Sequence, residues 1–339
     1  MRKFQLVLLS SIVCLFLSCG NKQKEDKYAS MPQELAEIYK KINKNPNDPL
    51  LYVELSRYYT NTGRLDSALN NALIAVRLDP NNSDIYVAAA DVYFALEYLD
   101  VAEEILEKAI VVNAKNNEAY VNLGLLYLSR NKHAQTREIL AKAIQLQTHN
   151  PQAYYLLAWN YRIEGDTLSA IRNYLIAAEQ NSDYFDAYRE LGSLYHCKGD
   201  PMAIDYYNNA LNAKPNDAQS AEILYKMAMF YQEAGNYEKA LERYRMILQI
   251  DPHHRNALHN MGWVYLMGEK KYDEAVVFFT KAIQLDTNYI EAVFNRGLSF
   301  ENLKQYDNAR QDYMYSLRLV NNYPLAIEGL NRLDKLQKR

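Results

Sequence analysis

Several residue types that mark particular classes of protein are scarce in this 339-residue chain. Eleven glycines and nine prolines are too few for a collagenous chain or for a turn-rich β-protein. The formal net charge of −3 lacks the basic excess expected of a nucleic-acid-binding protein. Three cysteines give little scope for a disulfide framework. Because 49% of the residues are hydrophobic, the chain can still bury a sizeable core.

The N-terminus carries a short apolar run behind two basic residues. Residues 4–17 are apolar apart from three polar positions, and about fourteen residues is too short to span a bilayer. This pattern predicts an export signal over residues 1–18. The run ends at Ser18 and Cys19, which resembles the lipobox of bacterial lipoproteins. The resemblance implies cleavage before Cys19 and acylation of that cysteine (palmitate among the acyl groups), and the alternative is an ordinary secreted protein.

Acylation would determine where the protein resides. Two or three acyl chains hold a protein on a membrane almost permanently, whereas one chain does not. Residues 19–32 are interpreted as the lipidated cysteine and a flexible polar tether. The resemblance implies a cell-envelope protein at the outer membrane facing the periplasm. The charged run 24–26 resembles a signal for the outer face of that membrane, and a merely solvated tether is the alternative. With Cys14 in the signal and Cys19 acylated, Cys197 is expected to be a nearly buried free thiol.

Four residue columns recur with a period close to 34. An aromatic column contains Tyr59, Tyr93, Tyr127, Tyr161, Tyr195, Tyr231, Tyr265 and Phe300. Three residues earlier lies a column of small residues, Ser56, Ala90, Gly124, Ala158, Gly192, Ala228, Gly262 and Gly297. Two further columns, rich in alanine, follow about nine and sixteen residues after each aromatic position. Such registered columns predict eight copies of one structural unit.

Each copy is predicted to contain two helices. Tyr52, Leu55 and Tyr59 share one helical face, and Ala68 and Ala72 share a face of a second helix. Small residues let two helices approach closely, while the tyrosines are expected to bury their rings and keep their hydroxyls at a solvent-facing edge. Between the helices lie residues that tolerate a left-handed conformation, namely Gly63, Asn131, Gly165, Gly199 and Gly235.

These columns resemble the tetratricopeptide repeat, with its pattern W-x2-L-G-x2-Y, A-x3-F, A and P. The resemblance implies an all-α fold, a right-handed superhelical α-solenoid of about eight helix-turn-helix repeats. The array is predicted over residues 49–323, with repeats at 49–82, 83–116, 117–150, 151–184, 185–217, 218–254, 255–289 and 290–323. Capping helices are predicted at 33–46 and 324–339, the second with Leu325, Leu330 and Leu333 on its apolar face.

The period is broken locally in three places. One residue is missing between Tyr195 and Ala203, and three extra residues, 218–220, open the sixth repeat. One extra residue lies between Tyr265 and Ala275.

The resemblance also implies that partners bind a concave groove lined by positions 2, 5, 9, 12 and 13 of the first helices. The only two tryptophans both fall at position nine, and rigid aromatics with Met and Arg nearby are typical of binding hot spots. The candidate partner-binding residues are Tyr155, Trp159, Arg162, Arg189, Tyr225, Met229, Trp263, Met267 and Phe294. We expect an amphipathic helix or extended peptide along repeats four to eight, with Arg162 and Arg189 meeting its acidic groups. The alternative is that position nine is half-buried against the next repeat.

Residues that could carry chemistry are few. His253, His254 and His259 lack a carboxylate or thiol at metal-ligand spacing, so no metal site and no cofactor is predicted. Asn122, Asn260 and Asn295 resemble a peptide-holding asparagine ladder, although asparagine is also the consensus residue at that position. We therefore expect no enzyme and no nucleic-acid partner. The leading hypothesis is a membrane-anchored adaptor for envelope proteins, a monomer or weak homodimer, and the alternative is capture of a glycan or peptidoglycan fragment.

Overall fold

The computed structural model describes residues 31–213 and 215–337, and within these ranges it contains helices and turns but no β-strand. The all-α prediction is thus confirmed for the described part of the chain. The predicted signal 1–18, Cys19 and most of the predicted tether lie outside the described residues. Among the residues described, no helix combines the length and the apolar character that crossing a membrane would require.

The chain divides into two compact units, one ending at Ala114 and the other beginning at Lys115. The first unit contains α1 (Gln33–Lys44), α2 (Pro49–Asn61), α3 (Leu65–Leu78), α4 (Ser83–Ala95) and α5 (Leu99–Val112). The second contains α6 (Asn117–Ser129), α7 (His133–Leu146), α8 (Pro151–Ile163), α9 (Thr167–Gln180), α10 (Phe185–Cys197), α11 (Met202–Asn212), α12 (Asp217–Glu233), α13 (Tyr237–Ile250), α14 (Arg255–Trp263), α15 (Tyr272–Leu285), α16 (Ile290–Asn302), α17 (Tyr306–Leu319) and α18 (Pro324–Gln337).

Polar side chains fix where many of the helices begin. Before α8, the Asn150 side chain accepts a hydrogen bond from the Ala153 amide at 3.0 Å. Before α9, Asp166 accepts one from the Ser169 amide at 3.0 Å. These bonds satisfy amides that have no partner within the helix. Pro151 opens α8, where its missing N–H removes no helical hydrogen bond.

Left-handed residues end the first helix of most pairs, as predicted. All five predicted positions have φ between 56° and 82°: Gly63, Asn131, Gly165, Gly199 and Gly235. Glu97, Lys270 and Lys304 adopt the same conformation without being glycine, with φ of 63°, 54° and 60°. The turn geometry is therefore imposed by the helix pair even where the local sequence does not favour it.

The alanine-rich columns are the centre of each helix pair. Every member of the column about nine residues after the aromatic position is 0% exposed: Ala68, Ala102, Thr136, Ala170, Ala203, Ala240, Ala275 and Ala309. In the preceding small column, a Cβ added at Gly192 would lie 2.4 Å from the ring of Tyr207, and one at Gly262 would lie 2.7 Å from Phe279. At these two glycines the paired helices approach so closely that a methyl group would collide with the opposing ring.

The buried tyrosines correct one expectation. Tyr174, Tyr207, Tyr244 and Tyr313 are at most 1% exposed, so their hydroxyls do not lie at a solvent-facing edge. Instead Tyr244 donates to Gln232 at 2.9 Å, and Tyr313 donates to the Glu301 carboxylate. Burial raises the pKa of Tyr207 to about 12. The rings fill the space above the small residues, and polar side chains from the partner helix satisfy most of the hydroxyls.

The one-residue insertion after Tyr265 is accommodated as a π-helical turn, Val264–Gly268, which continues α14. In other repeats the loop amide five residues after the aromatic position bonds to its carbonyl, as Asn236 does to Tyr231 at 2.8 Å. Here the amide of Lys271, six residues on, bonds to the Tyr265 carbonyl at 2.8 Å. The wider turn absorbs the extra residue and leaves the helix pair intact.

The terminal helix packs two of the three predicted leucines, Leu330 and Leu333, against the core, but not Leu325. Leu325 is 45% exposed, whereas Ala326 is fully buried and Leu333 is 1% exposed. The reason lies at Gly329, where an added Cβ would be 2.5 Å from the ring of Tyr313. Because Tyr313 packs against this glycine, the face that carries Gly329 turns inward and Leu325 turns out; its assignment to the apolar face was wrong.

Candidate functional site

The predicted partner-binding residues differ widely in accessibility. Trp159 is 40% exposed and Met267 is 52% exposed. Arg162 is also exposed, while five others are half-buried: Tyr155, Arg189, Tyr225, Met229 and Trp263. Phe294 is only 8% exposed because its ring packs against Tyr313 and Tyr323, with centroids 5.6 and 5.8 Å away. Phe294 thus offers a partner little surface.

An aromatic cluster, formed by Tyr155, Trp159, Tyr174 and Tyr184, joins α8, α9 and the start of α10. Tyr155 is its centre, with ring centroids 6.4 Å from Trp159, 5.5 Å from Tyr174 and 5.2 Å from Tyr184. Burial raises the pKa of Tyr155 and of the two neighbouring tyrosines, so all three hydroxyls stay protonated. Trp159 thus packs beside the ring of Tyr155 and keeps much of its surface open to solvent.

Tyr174 is the most deeply buried member of this cluster. Its side chain is fully buried, and its hydroxyl forms no hydrogen bond with any of the described residues. The equivalent Tyr244 is bonded to both Gln232 and Asn260. A buried hydroxyl without a hydrogen bond lowers the free energy of unfolding. Tyr174 therefore stabilises the fourth repeat less than the hydrogen-bonded Tyr244 stabilises the sixth.

The two candidate arginines already have carboxylate partners within the protein. Arg162 of α8 forms an ion pair with Glu190 of α10. Arg189 lies 3.1 Å from Glu190 and 3.1 Å from Asp186. The side chain of Glu190 is only 13% exposed and has both guanidinium groups beside it, so the two arginines are balanced by the two carboxylates of Glu190 and Asp186. Their expected role as receptors for acidic partner groups is thus largely taken by internal ion pairs.

Further along the chain, candidate residues are tied into a hydrogen-bond network below the surface. The Asn260 amide donates to the hydroxyls of Tyr225 at 3.0 Å and Tyr244 at 3.1 Å, and contacts the Met229 sulfur at 3.3 Å. Asn260 therefore acts as a bridge between α12, α13 and α14. Trp263 packs against the same core while remaining half-buried, which agrees in part with the alternative interpretation of position nine.

The histidines and the cysteine that the sequence singled out have positions explained by packing and helix ends. His254 accepts a hydrogen bond from the Ala257 amide at 3.1 Å and so caps α14. The ring of His259 packs against that of Tyr289 at an angle of 36°, with centroids 4.9 Å apart, and burial lowers the pKa of His259. Cys197 is exposed, not nearly buried as expected, because it is the last residue of α10, where the helix end meets solvent.

A feature that the sequence did not reveal is a pocket of about 550 Å³ beside the start of α12. Its lining includes Asp217, Glu222 and Tyr225 from α12, and Asp251 and His254 from the turn between α13 and α14. The one sequence feature that could have indicated this pocket is the insertion of three residues, 218–220, at the start of the sixth repeat. These residues lie in the first turn of α12, which has 17 residues, whereas α8 and α10 have 13.

Comparison with known proteins assigns the fold to a family. Models of the tetratricopeptide repeat match residues 87–153, 183–253, 219–288 and 291–326. The Photosystem I assembly protein Ycf3 from Prochlorococcus marinus is 31% identical over 134 residues, covering 38% of this chain and 76% of the relative. The chain therefore belongs to the tetratricopeptide repeat family, whose members act as protein–protein interaction scaffolds.

Two further similarities are more limited. The Lipoprotein NlpI homolog from Haemophilus influenzae is 25% identical over 143 residues, covering 42% of each protein. The solved C-terminal part of a TPR repeat-containing protein from Cytophaga hutchinsonii matches with a TM-score of 0.63 and 17% identity, covering 72% of this chain and 99% of that one. At this identity the structural match shows the fold alone. The chain spans 76, 60, 56 and 42% of the length of the first four relatives.

Proposed function

We propose that this protein is a lipid-anchored scaffold of the cell envelope that binds a peptide segment or amphipathic helix of an envelope protein. Binding occurs at the candidate residues of α8 to α16 and assists the assembly or recruitment of a protein complex. The protein is a binding module and not an enzyme. The observation that carries this proposal is Trp159, a 40% exposed indole held by the ring of Tyr155.

Low entropy loss and a large contact area favour Trp159 as an anchor for a partner. A tryptophan that already packs beside another ring, as Trp159 does beside Tyr155, loses less conformational entropy when a partner covers it, and its large face gains contact area. Met267, 52% exposed on the π-helical turn, adds a second apolar contact with an adaptable side chain. Anchors of this kind suit a helix or extended peptide that presents apolar residues at regular spacing.

The lipid anchor rests on separate support. The lipobox resemblance at Ser18 and Cys19 implies acylation, and one relative is named a lipoprotein. An outer-membrane position facing the periplasm follows from the same resemblance. Such an anchor would confine the scaffold to the membrane surface and raise the local concentration of any envelope partner. The name of the Ycf3 relatives, an assembly protein, agrees with a scaffold role in complex assembly.

The proposal is tested by pull-down from detergent-solubilised envelopes, followed by affinity measurement with the purified partner. The full chain should retain one stoichiometric protein, and Trp159→Ala should weaken that interaction by at least about 2 kcal/mol, as loss of a hot-spot residue does. Trp159→Ala combined with Trp263→Ala should abolish it. Leu168→Ala is the matched control, because Leu168 lies on α9 and is 78% exposed.

Two outcomes would overturn the proposal. Unchanged capture by the double variant would remove the candidate residues from the interface. Alternatively, a saccharide-dependent change in tryptophan fluorescence without a stoichiometric protein partner would establish glycan or peptidoglycan capture instead.

A further inference from the structure

The pocket at the start of α12 combines an aromatic wall with an excess of negative charge. We propose that it receives a basic side chain, a lysine ammonium or arginine guanidinium group, from the bound partner segment. The pocket measures about 550 Å³, which is ample for one long side chain. This inference rests on the proposed docking function, since it names the chemistry of the partner that docks there.

The pocket is built by a departure from the repeat. Asp217 and Ala218, from the added first turn of α12, supply part of its lining. A reciprocal capping box fixes that turn: the Asn216 side chain accepts from the Gln219 amide at 2.9 Å, and the Gln219 side chain accepts from the Asn216 amide at 3.0 Å. The lining is therefore held in place before any partner arrives.

Charge selects the occupant. Three acidic residues are among those that line the pocket, Asp217, Glu222 and Asp251. The Lys226 ammonium group lies 3.6 Å from Glu222 and offsets one of them. Within the described residues, no ion pair reaches the other two carboxylates; Asp251 accepts only a backbone hydrogen bond from His253 at 2.9 Å. An acidic partner group would be repelled here. Because most of the lining is apolar, the methylene stem of a long cationic side chain can pack in the pocket while its charged end meets the acidic residues.

The aromatic wall is suited to a cation as well. The hydroxyl of Tyr225 accepts a hydrogen bond from Asn260 at 3.0 Å, which holds the ring in place. The imidazole of His254 lies beside it, with centroids 5.7 Å apart, and is itself fixed by its bond to the Ala257 amide. A tyrosine face attracts a cation through its quadrupole, and the methylene stem of a lysine or arginine packs well along such a ring. Ile250 adds apolar surface for that stem.

This specificity differs from the acidic partner groups expected from the sequence. Arg162 and Arg189 are engaged by Glu190, whereas two pocket carboxylates have no cation opposite them among the described residues. The arrangement of charge thus favours a partner that is basic where it meets α12.

The test uses the full chain, isotopically labelled in detergent, and three capped tripeptides: acetyl-Gly-Lys-Gly-amide, its norleucine analogue and its glutamate analogue. We expect the lysine peptide to shift the amide resonances of Tyr225, His254 and Asn256. It should bind about tenfold more tightly than the norleucine peptide, as two to three exposed charge interactions allow. The glutamate peptide should cause no shift at these positions. Added salt should weaken lysine binding.

A charge-matched pair of variants decides the question. Asp217→Asn, Glu222→Gln and Asp251→Asn together should reduce the lysine-to-norleucine ratio to about one. Glu179→Gln, Glu274→Gln and Glu328→Gln remove the same charge from exposed positions outside the pocket and should leave the ratio unchanged. Equal binding of lysine and norleucine peptides to the native chain, or an unchanged ratio in the pocket variant, would overturn the inference. Neither result depends on Trp159, so failure here is distinguishable from failure of the docking proposal.

Discussion

Replacing Gly192 by alanine tests whether close helix approach holds the repeats together. An alanine Cβ would lie 2.4 and 2.5 Å from two ring carbons of Tyr207, whose side chain is 1% exposed and cannot swing away. Overpacking costs about 1–3 kcal/mol, and contacts as short as 2.4 Å place this site in the upper part of that range, at about 2–3 kcal/mol. The higher helix propensity of alanine returns about 1 kcal/mol. Ala158 packs in one core cluster with Tyr174, which shows that a small rearrangement can admit a methyl group. We therefore expect a net loss of about 1–2 kcal/mol.

Because a repeat array need not unfold in one step, the measurement must be local. Native-state hydrogen exchange of the full chain should show amides of α10 and α11 exchanging about five- to thirtyfold faster in the Gly192→Ala variant. Gly297→Ala is the matched control: its Cβ would lie 3.0 Å from Asp312 and Tyr313, so the smaller clash and the propensity gain nearly cancel. Unchanged or slower exchange in α10 and α11 would refute the packing argument.

Three other predictions concern a hydroxyl, a titration and the anchor. Tyr174→Phe should leave the local stability of α8 and α9 unchanged or raise it by up to about 1 kcal/mol, whereas Tyr313→Phe should lower that of α16 and α17 by about 1–2 kcal/mol because Glu301 loses a donor. Native-state hydrogen exchange of these helices compares the two variants. Burial lowers the pKa of His259, so at pH values below about 6.5, the ordinary pKa of histidine, the unfolded chain binds more protons than the folded one. Stability should therefore fall as the pH drops below that value, and His259→Phe should flatten this dependence in the hydrogen exchange of α14 and α15 followed from pH 7 to 5. Cys19→Ala should release the protein from membrane fractions, and continued sedimentation with the membrane would remove the lipid anchor from the account.

The helix pairs were predictable because their cause is local and repeated. A small residue such as Gly192 and a ring such as Tyr207 lie 15 residues apart, on the two helices of one repeat. The same pairing recurs at Gly262 and Phe279, so each copy supports the interpretation of the others. A single copy would not have distinguished a packing column from coincidence.

Contacts between repeats were not predictable in the same way. Arg162 and Glu190 lie on different repeats, and their ion pair depends on how one pair stacks on the next. A position in the repeat indicates that a side chain faces the partner-binding side, but it does not reveal which neighbour reaches it. Phe294 shows the same limit, since Tyr323 from the turn before α18 covers its ring.

The other differences between the sequence prediction and the structure arise at helix ends and at insertions. Cys197 is exposed because α10 ends there, a boundary that periodicity alone does not fix. The extra turn of α12 was visible as three additional residues. Its pocket was not, because the opposite wall comes from Asp251 and His254, over thirty residues further along the chain.

The most direct test of the proposed docking site is site-specific photo-crosslinking in living cells. A photoreactive phenylalanine analogue placed at Trp159 should form a covalent adduct with one envelope protein, and the same analogue at Leu168, on α9, should not. Adducts of equal yield from both positions, or none from Trp159, would contradict the claim that partners bind at the aromatic cluster.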